Sequence, residues 1–98
     1  MAKLVFSPEL VTGVKALASE SRIQILLLFV DGQARTVNEI ADAVALGQST
    51  VSEHLALMKH AGLLLAERQG KEVYYRPDTV YLTKFLDRLS STLKKCCK

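Results

Sequence analysis

The sequence predicts a mainly α-helical domain with one small β-hairpin. Three patterns indicate this fold class. Apolar residues recur at helical spacing through much of the chain, two short helical segments are separated only by Leu46-Gly47, and two β-rich segments flank Gln69-Gly70-Lys71. The predicted order is four helices, two strands and a fifth helix, in a single domain that covers residues 1–98.

The composition is that of a globular protein, with 49% hydrophobic and 23% charged residues. The longest apolar run, Ile25 to Val30, is far shorter than the roughly 20 residues of a membrane helix, and residues 1–15 lack the pattern of a signal peptide. We therefore expect a cytoplasmic protein without membrane contact. The only two cysteines, Cys96 and Cys97, are adjacent, so no disulfide framework is expected.

The first two helices have clear start signals. Ser7-Pro8-Glu9 supplies a cap, a proline at the first helical position and an acid in the first turn, and the helix should run to about Ala18. Ser19 should cap the second helix, which ends at Asp31-Gly32. Its apolar residues make it the most apolar element and the expected core helix: Ile23, Leu26, Leu27, Leu28, Phe29 and Val30.

The third and fourth helices form a helix-turn-helix pattern over about residues 36–61. Thr36-Val37-Asn38-Glu39 matches the capping box, in which threonine and glutamate satisfy each other's free backbone amides. Leu46-Gly47 closes the third helix, and the chain turns within a few residues into a helix from about Gln48 to Ala61. Two helices joined this tightly are typical of helix-turn-helix proteins.

The fourth helix has one apolar and one polar side. Val51, Leu55 and Met58 cluster on the apolar side at about 100° per residue. The polar side and its flanks carry short hydrogen-bonding groups first and a cation later, which suits base edges and then phosphate. The candidate DNA contacts on this helix are Gln48, Ser49, Thr50, Ser52, Glu53, His54 and Lys59. His54 and His60 are alternatively surface histidines, and Glu53 either accepts from a cytosine amino group or limits non-specific binding.

The two strand patterns predict a β-hairpin, or wing, over about residues 63–76. Arg68 and Lys71 at its tip are expected to reach phosphates or the adjacent minor groove, while Tyr74 and Tyr75 are either hairpin packing residues or part of the site. The net charge is +3, and the positive charge is concentrated in the hairpin and the last helix. The basic residues there are Arg68, Lys71, Arg76, Lys84, Arg88, Lys94, Lys95 and Lys98.

The last helix, over about residues 78–95, has an apolar seam that steps alternately by four and three residues. The seam consists of Leu82, Leu86, Leu89, Leu93 and Cys96, with Phe85 beside it. A domain of this size gains appreciable stability from a partner subunit. We therefore predict a homodimer through the first and last helices, with packing inside one subunit as the alternative.

Three runs together resemble the ArsR/SmtB family of bacterial metal-sensing repressors: residues 16–26, residues 48–55 and residues 70–75. The resemblance covers about residues 10–95. It implies a homodimeric winged helix-turn-helix protein that represses a detoxification or homeostasis operon through double-stranded operator DNA. It also implies release from the operator when an inducer binds, but it does not name the inducer.

The metal positions of this family are mostly absent here. Its zinc and cadmium sensors have cysteines at the start of the third helix, where this chain has Arg35, Thr36, Val37 and Asn38, and residues 78–98 contain no histidine. The remaining soft ligands are Cys96 and Cys97, which are too close for an unstrained internal disulfide and are flanked by lysines that favour thiolate.

Two adjacent thiolates suit a thiophilic metalloid, namely trivalent arsenic, an organoarsenical or antimony. DNA binding itself should need no cofactor. The alternatives are a response to reactive sulfur or redox state, or no inducer site. A winged helix that binds protein is a different class of function. An enzyme is not expected, because the chain has no Gly-x-Ser-x-Gly, phosphate-loop or HExxH motif.

Overall fold

The structure is a computed structural model that describes residues 8–96. Its helices are α1 (Pro8–Leu17), α2 (Glu20–Leu27), α3 (Val37–Val44), α4 (Gln48–His60) and α5 (Thr79–Cys96), and a 3₁₀ turn (Leu28–Asp31) continues α2. Its strands are β1 (Arg35–Thr36), β2 (Leu64–Gln69) and β3 (Glu72–Pro77). The predicted fold class is confirmed, and a third strand, β1, pairs with the predicted hairpin.

The predicted helix caps of α2 and α3 are confirmed. The Ser19 hydroxyl accepts a hydrogen bond from the Arg22 amide at 3.3 Å. Thr36 and Glu39 form the capping box, with the Glu39 amide 3.2 Å from Thr36 Oγ1 and the Thr36 amide 2.9 Å from Glu39 Oε1. Both starts are thus fixed by local hydrogen bonds of the kind the sequence predicts. The predicted cap of α1, Ser7, lies outside the described residues.

Strand β1 was not predicted, and the tertiary structure explains why. Its two residues pair antiparallel with the central strand β3, Arg35 opposite Tyr75 and Thr36 opposite Tyr74. Thr36 therefore ends a strand and caps a helix at once. A two-residue strand has no alternating pattern of its own, so only its long-range pairing creates it.

The hairpin β2–β3 has the predicted turn. Gln69 pairs with Glu72, and Gly70 lies in the left-handed region at φ 65°. Tyr74 and Tyr75 are half-buried on β3, which has neighbours on both sides. Tyr75 packs against the core, which favours its interpretation as a packing residue. Successive side chains of a strand alternate between faces, so Tyr74 lies on the other face of the sheet.

The turn between α3 and α4 differs from the prediction. The left-handed residue that ends α3 is Ala45 at φ 57°, whereas Gly47 is the N-cap of α4 at φ −68°. A Cβ on Gly47 would meet no atom within 4 Å. The turn is as tight as expected, but glycine's conformational freedom is not what permits it.

The expectation that α2 is a core helix holds for only one of its sides. Ile25 and Phe29 are buried, but Ile23, Leu27 and Val30 are 44%, 60% and 80% exposed. Ile23 and Leu27, four residues apart, lie on the outer side of α2 itself. The 3₁₀ turn from Leu28 has about three residues per turn instead of 3.6, so it rotates Val30 away from the face that the helical spacing assigns it. The core instead centres on α4 and the segment after it.

Helix α5 starts at the point where α4 and the hairpin meet. The Asp78 carboxylate caps it by accepting from the Tyr81 amide at 3.1 Å. The Asp78 amide donates to the Leu63 carbonyl at 3.0 Å, which closes the base of the hairpin. The ring of Tyr81 lies over Gly62, where φ is 88° and a Cβ would be 3.0 Å from that ring. The positive φ therefore favours glycine at position 62, and a side chain there would also require the Tyr81 ring to shift by a few tenths of an ångström.

An ion pair fixes the segment between α2 and β1. Arg35 Nη2 lies 2.6 Å from Asp31 Oδ2, and Arg35 Nη1 also donates to the Leu28 carbonyl at 2.9 Å. The hydrogen bond from Arg35, with a smaller contribution from the Gln33 amide, lowers the pKa of Asp31 from 3.8 to about 2. Because the pKa is lower in the folded state, the pair stabilises the fold above pH 3.8, and this contribution is lost as the pH falls through about 2.

We expect Asp31→Asn to lower the denaturation midpoint at pH 6 and to lose this effect as the pH approaches 2. The measurement is urea denaturation from pH 2 to pH 7 at one protein concentration. Asp42→Asn is the control, because Asp42 is an exposed acid on α3 without an ion pair in the described part of the chain. If the denaturation midpoint of Asp31→Asn lies below that of the wild type by the same amount across the whole pH range, the role of the ion pair is contradicted.

Candidate DNA-binding interface

Helix α4 separates its residues into a buried and an exposed side, as its sequence predicts. Val51, Leu55 and Met58 are fully buried against the core. Six of the predicted DNA-contacting residues are exposed on the helix: Gln48, Ser49, Thr50, Ser52, Glu53 and Lys59. The buried side thus holds the helix on the domain while a row of polar side chains remains available to a ligand.

The beginning of α4 is suited to an anionic partner. Its N-cap, Gly47, makes no side-chain hydrogen bond, and the first turn contains no acidic residue. Free backbone amides and the positive end of the helix dipole therefore remain at this end. Gln48, Ser49 and Thr50 surround it with groups that can both donate and accept hydrogen bonds. Lys59, the predicted phosphate contact, lies in the last turn.

The seventh predicted residue of α4, His54, is half-buried, and its environment differs from the others. Its Nδ1 lies 3.2 Å from Nη1 of Arg22, which belongs to α2. His54 is therefore attached to its own subunit through one ring nitrogen. Arg22 was not among the predicted site residues, because its only signal in the sequence is one arginine at the start of an apolar helix, 32 residues from its partner.

The tip of the wing carries the two predicted cations. Arg68 lies near the end of β2 opposite Val73, and Lys71 follows Gly70 in the turn; both are exposed. Neither has a carboxylate partner within 4.0 Å among residues 8–95. Both cations are therefore available to an anionic ligand, although Glu67 and Glu72 on the same hairpin reduce its net positive charge.

The start of α3 is not a metal site. Arg35 is engaged with Asp31, and Thr36 is buried and occupied by the capping box. Residues 8–95 contain no group of three or more His, Cys, Asp or Glu side chains that could hold a metal ion. The predicted Cys96-Cys97 site is not part of this description: Cys96 ends α5 without a described side chain, and Cys97 lies outside the described residues.

The architecture defines a class of protein. The elements α3 and α4 form a helix-turn-helix, the sheet β1–β3–β2 forms the wing, and a long helix follows, so the domain is a winged helix-turn-helix. The chain belongs to the arsR family of bacterial regulatory proteins, whose family model matches residues 19–65. Between residues 8 and 96, no helix is both long and apolar enough to cross a membrane.

Named relatives agree with this assignment. The chain is 44% identical to the transcriptional repressor SmtB of Mycobacterium tuberculosis over 64% of its length and 46% of that protein. It is 42% identical to the arsenical resistance operon repressor of Escherichia coli over 63% of its length and 53% of that protein. The chain thus spans about half the length of these curated relatives. Both are transcriptional regulators and not enzymes.

A solved structure covers more of the chain. The solution structure of a homodimeric winged helix-turn-helix DNA-binding domain from Mycobacterium bovis, described as a possible ArsR-family regulator, is 30% identical. The match covers 93% of this chain and 91% of that one, with a TM-score of 0.70. The similarity therefore extends beyond the helix-turn-helix to the wing and the long helices.

Proposed function

We propose that the protein is a transcriptional repressor that binds an inverted-repeat operator as a homodimer and leaves it when a thiophilic metalloid binds Cys96-Cys97. The observation that carries the DNA-binding part is the separation of α4 into a buried apolar side and an exposed polar side. Winged helix-turn-helix proteins insert a surface helix of this kind into the major groove, with a basic wing beside it.

In the proposed complex, the first turns of α4 lie in the major groove. Gln48, Ser49, Thr50 and Ser52 contact base edges, with Glu53 beside them, because the N-terminal residues of a recognition helix come closest to the bases. Lys59, Arg68 and Lys71 contact phosphates. A two-fold symmetric dimer then requires half-sites that are about 34–36 Å apart, one helical turn of DNA, or a multiple of that distance.

The proposed dimer uses α1 and α5. Phe85 of α5 is buried against α1 within one subunit, whereas Leu86 and Leu93 of the predicted seam are exposed. Beside them, α1 and α5 form an apolar groove of about 260 Å³, lined by Leu10, Val11, Val14, Lys15 and Leu89. An exposed apolar surface of this kind is typical of an interaction site. The homodimeric relative from M. bovis supports a second copy as the occupant.

The proposed inducer site rests on the chemistry of the cysteine pair. Thiolates prefer soft ions, and Lys94 and Lys95 next to the pair favour the thiolate form. Two sulfurs satisfy an organoarsenical, whereas inorganic arsenite needs a third, from the other subunit or from a small thiol. The E. coli relative is named as an arsenical resistance operon repressor, which supports arsenic as a candidate inducer. Reactive sulfur is the second candidate inducer, because adjacent thiolates are also open to oxidation.

Lys71→Ala is expected to weaken DNA binding and to reduce its salt dependence. Removing one phosphate contact from each subunit should lower the slope of log K against log[salt] by about 0.9 per contact, hence by about 2 per dimer. The measurement uses fluorescence anisotropy with a duplex that the wild-type protein selects from a random-sequence pool, at several salt concentrations.

Lys84→Ala is the matched control, because it removes the same charge from an exposed position of α5, outside the proposed DNA interface. Equal slopes for the wild type and Lys71→Ala would exclude the wing from the interface. Failure of the wild-type protein to retain any duplex from the pool at low salt would exclude the DNA-binding function itself, and a protein-binding winged helix would then be the better interpretation.

Cys96→Ser and Cys97→Ser should each bind the selected duplex like the wild type but resist release by phenylarsenite. Both substitutions remove one of the two sulfurs that the ligand needs, so the concentration for half-release should rise at least tenfold. Gel-shift titrations with phenylarsenite, arsenite, antimonite and Zn²⁺ provide the measurement. Release by zinc alone, or release by phenylarsenite that is undiminished in both variants, would contradict the proposed inducer site.

A further inference from the structure

The guanidinium group of Arg22 joins three helices. Its Nε donates to the Ala16 carbonyl at 2.5 Å and its Nη2 donates to the Lys15 carbonyl at 3.3 Å, both at the end of α1. Its Nη1 lies 3.2 Å from Nδ1 of His54, in the middle of α4. Arg22 is half-buried on α2, so one side chain links the end of α1 with the recognition helix.

This contact determines which form of His54 is present. An arginine side chain has five N–H donors, no acceptor, and a charge that it keeps at all ordinary pH values. Nδ1 of His54 must therefore accept the hydrogen bond from Arg22. A histidine that accepts through Nδ1 is neutral and carries its proton on Nε2. The second ring nitrogen of His54 is thus an N–H donor.

We propose that Arg22 is a positioning residue that holds His54 as the neutral Nε2–H tautomer, so that this N–H donates to a DNA phosphate oxygen. The inference depends on the proposed DNA-binding function of α4. A phosphate is the partner because His54, half-buried and in contact with α2, lies beside the exposed residues proposed to contact the bases, and because a single fixed donor fits any phosphate oxygen. The contact positions α4 on the duplex without selecting a sequence.

The neutral state of His54 gives this contact a distinctive signature. A cation at the interface releases counterions and raises the salt dependence of binding, whereas a neutral donor adds affinity without that effect. Loss of the His54 contact should therefore lower the affinity at every salt concentration and leave the salt slope unchanged. Lys71→Ala, in contrast, should change the slope.

Two substitutions of His54 separate its two ring nitrogens. Asparagine places its carbonyl oxygen near the position of Nδ1, so His54→Asn keeps an acceptor for Arg22 and loses the distal donor. Glutamine reaches the position of Nε2, so His54→Gln keeps a distal N–H and loses the acceptor. We expect His54→Asn to weaken binding of the dimer to the selected duplex about a hundredfold, because each of the two subunits loses one hydrogen bond to a charged group, worth about tenfold. His54→Gln should lose much less affinity.

The role of Arg22 is tested by Arg22→Lys in the wild-type and His54→Asn backgrounds. A positioning role predicts weaker DNA binding in the first background and little further loss in the second. Long-range ¹H–¹⁵N correlation spectra at pH 8, with no DNA present, should show His54 as a single Nε2–H tautomer in the wild type. In Arg22→Lys the Nδ1 resonance should shift towards that of a free imidazole. Circular dichroism melting curves establish that each variant is folded.

The possible failures are distinguishable. If the wild type binds the duplex but His54→Asn binds equally well, or if His54 carries its proton on Nδ1, the inference is wrong and the proposed function stands. If Arg22→Lys weakens binding equally in both backgrounds, Arg22 acts only as a cap of α1. If the wild type binds no DNA at all, the proposed function fails together with the phosphate contact, whatever tautomer the spectra show.

Discussion

Ser52→Glu should abolish operator binding while the fold is kept or slightly stabilised. Ser52 is exposed in the second turn of α4, on the side proposed to enter the major groove. A carboxylate there would lie in the major groove between the two phosphate backbones, and like charges brought together at an interface cost several kcal/mol. Both subunits carry the change, so the affinity for the selected duplex should fall more than a hundredfold. Glutamate has a better helix propensity than serine and favours the N-terminal half of a helix, so the thermal midpoint should not fall.

The matched control for this experiment is Ser91→Glu, which introduces the same charge at an exposed position on the side of α5 opposite the predicted seam. It changes the net charge of the protein equally and should reduce DNA binding only slightly. Fluorescence anisotropy with the selected duplex and a thermal melt of each variant provide the two measurements. Affinity of Ser52→Glu within threefold of the wild type would show that this side of α4 does not face DNA.

The second large effect concerns the contact between α1 and α5. Gly13 lies within α1, and the buried ring of Phe85 lies directly over it: an added Cβ would overlap with Cε1 and stand 2.9 Å from Cδ1 and Cζ. In an open helix, glycine to alanine gains about 1 kcal/mol. Here the ring or the helices must move, and overpacking of this kind costs about 1–3 kcal/mol. Gly13→Ala is therefore expected to destabilise the protein.

A double-mutant cycle with Phe85→Leu tests the physical reason. Phe85→Leu alone should destabilise the protein by opening a cavity, but it also makes room for a methyl group at position 13. The combined variant should lose less stability than the two single losses together predict. Urea denaturation at one fixed protein concentration measures the four free energies of unfolding, since the stability of a dimer depends on concentration. If Gly13→Ala stabilises the protein as it would an open helix, the two helices are not in close contact.

The parts of the fold that depend on neighbours in the sequence could be predicted. The Thr36–Glu39 capping box, the Ser19 cap and the turn at Gly70 are interactions within three or four residues, and each is present. The apolar side of α4 was also predictable, because the period of the helix is fixed. These features sufficed to predict the fold class, whereas the family was indicated only by the resemblance of residues 16–26, 48–55 and 70–75 to its members.

The features that were missed depend on distant parts of the chain. Strand β1 exists because β3 lies beside it, and the exposure of Val30 depends on a 3₁₀ turn that periodicity does not indicate. In the candidate site, the exposed residues of α4 followed from its sequence. The contact of Arg22 with His54 did not, because it joins two helices whose proximity is a result of tertiary packing. The role of the cysteine pair remains a prediction from its chemistry.

The hydrogen bond between the Asp78 amide and the Leu63 carbonyl has a consequence for how such domains can diversify. It holds the two ends of the hairpin together at their base, next to the cap that starts α5. At the opposite end, the surroundings of Gly70 are open, with no atom within 4 Å of an added Cβ. Insertions and deletions at the tip of the wing therefore leave the start of α5 in place. The length of the wing and the position of α5 can evolve independently.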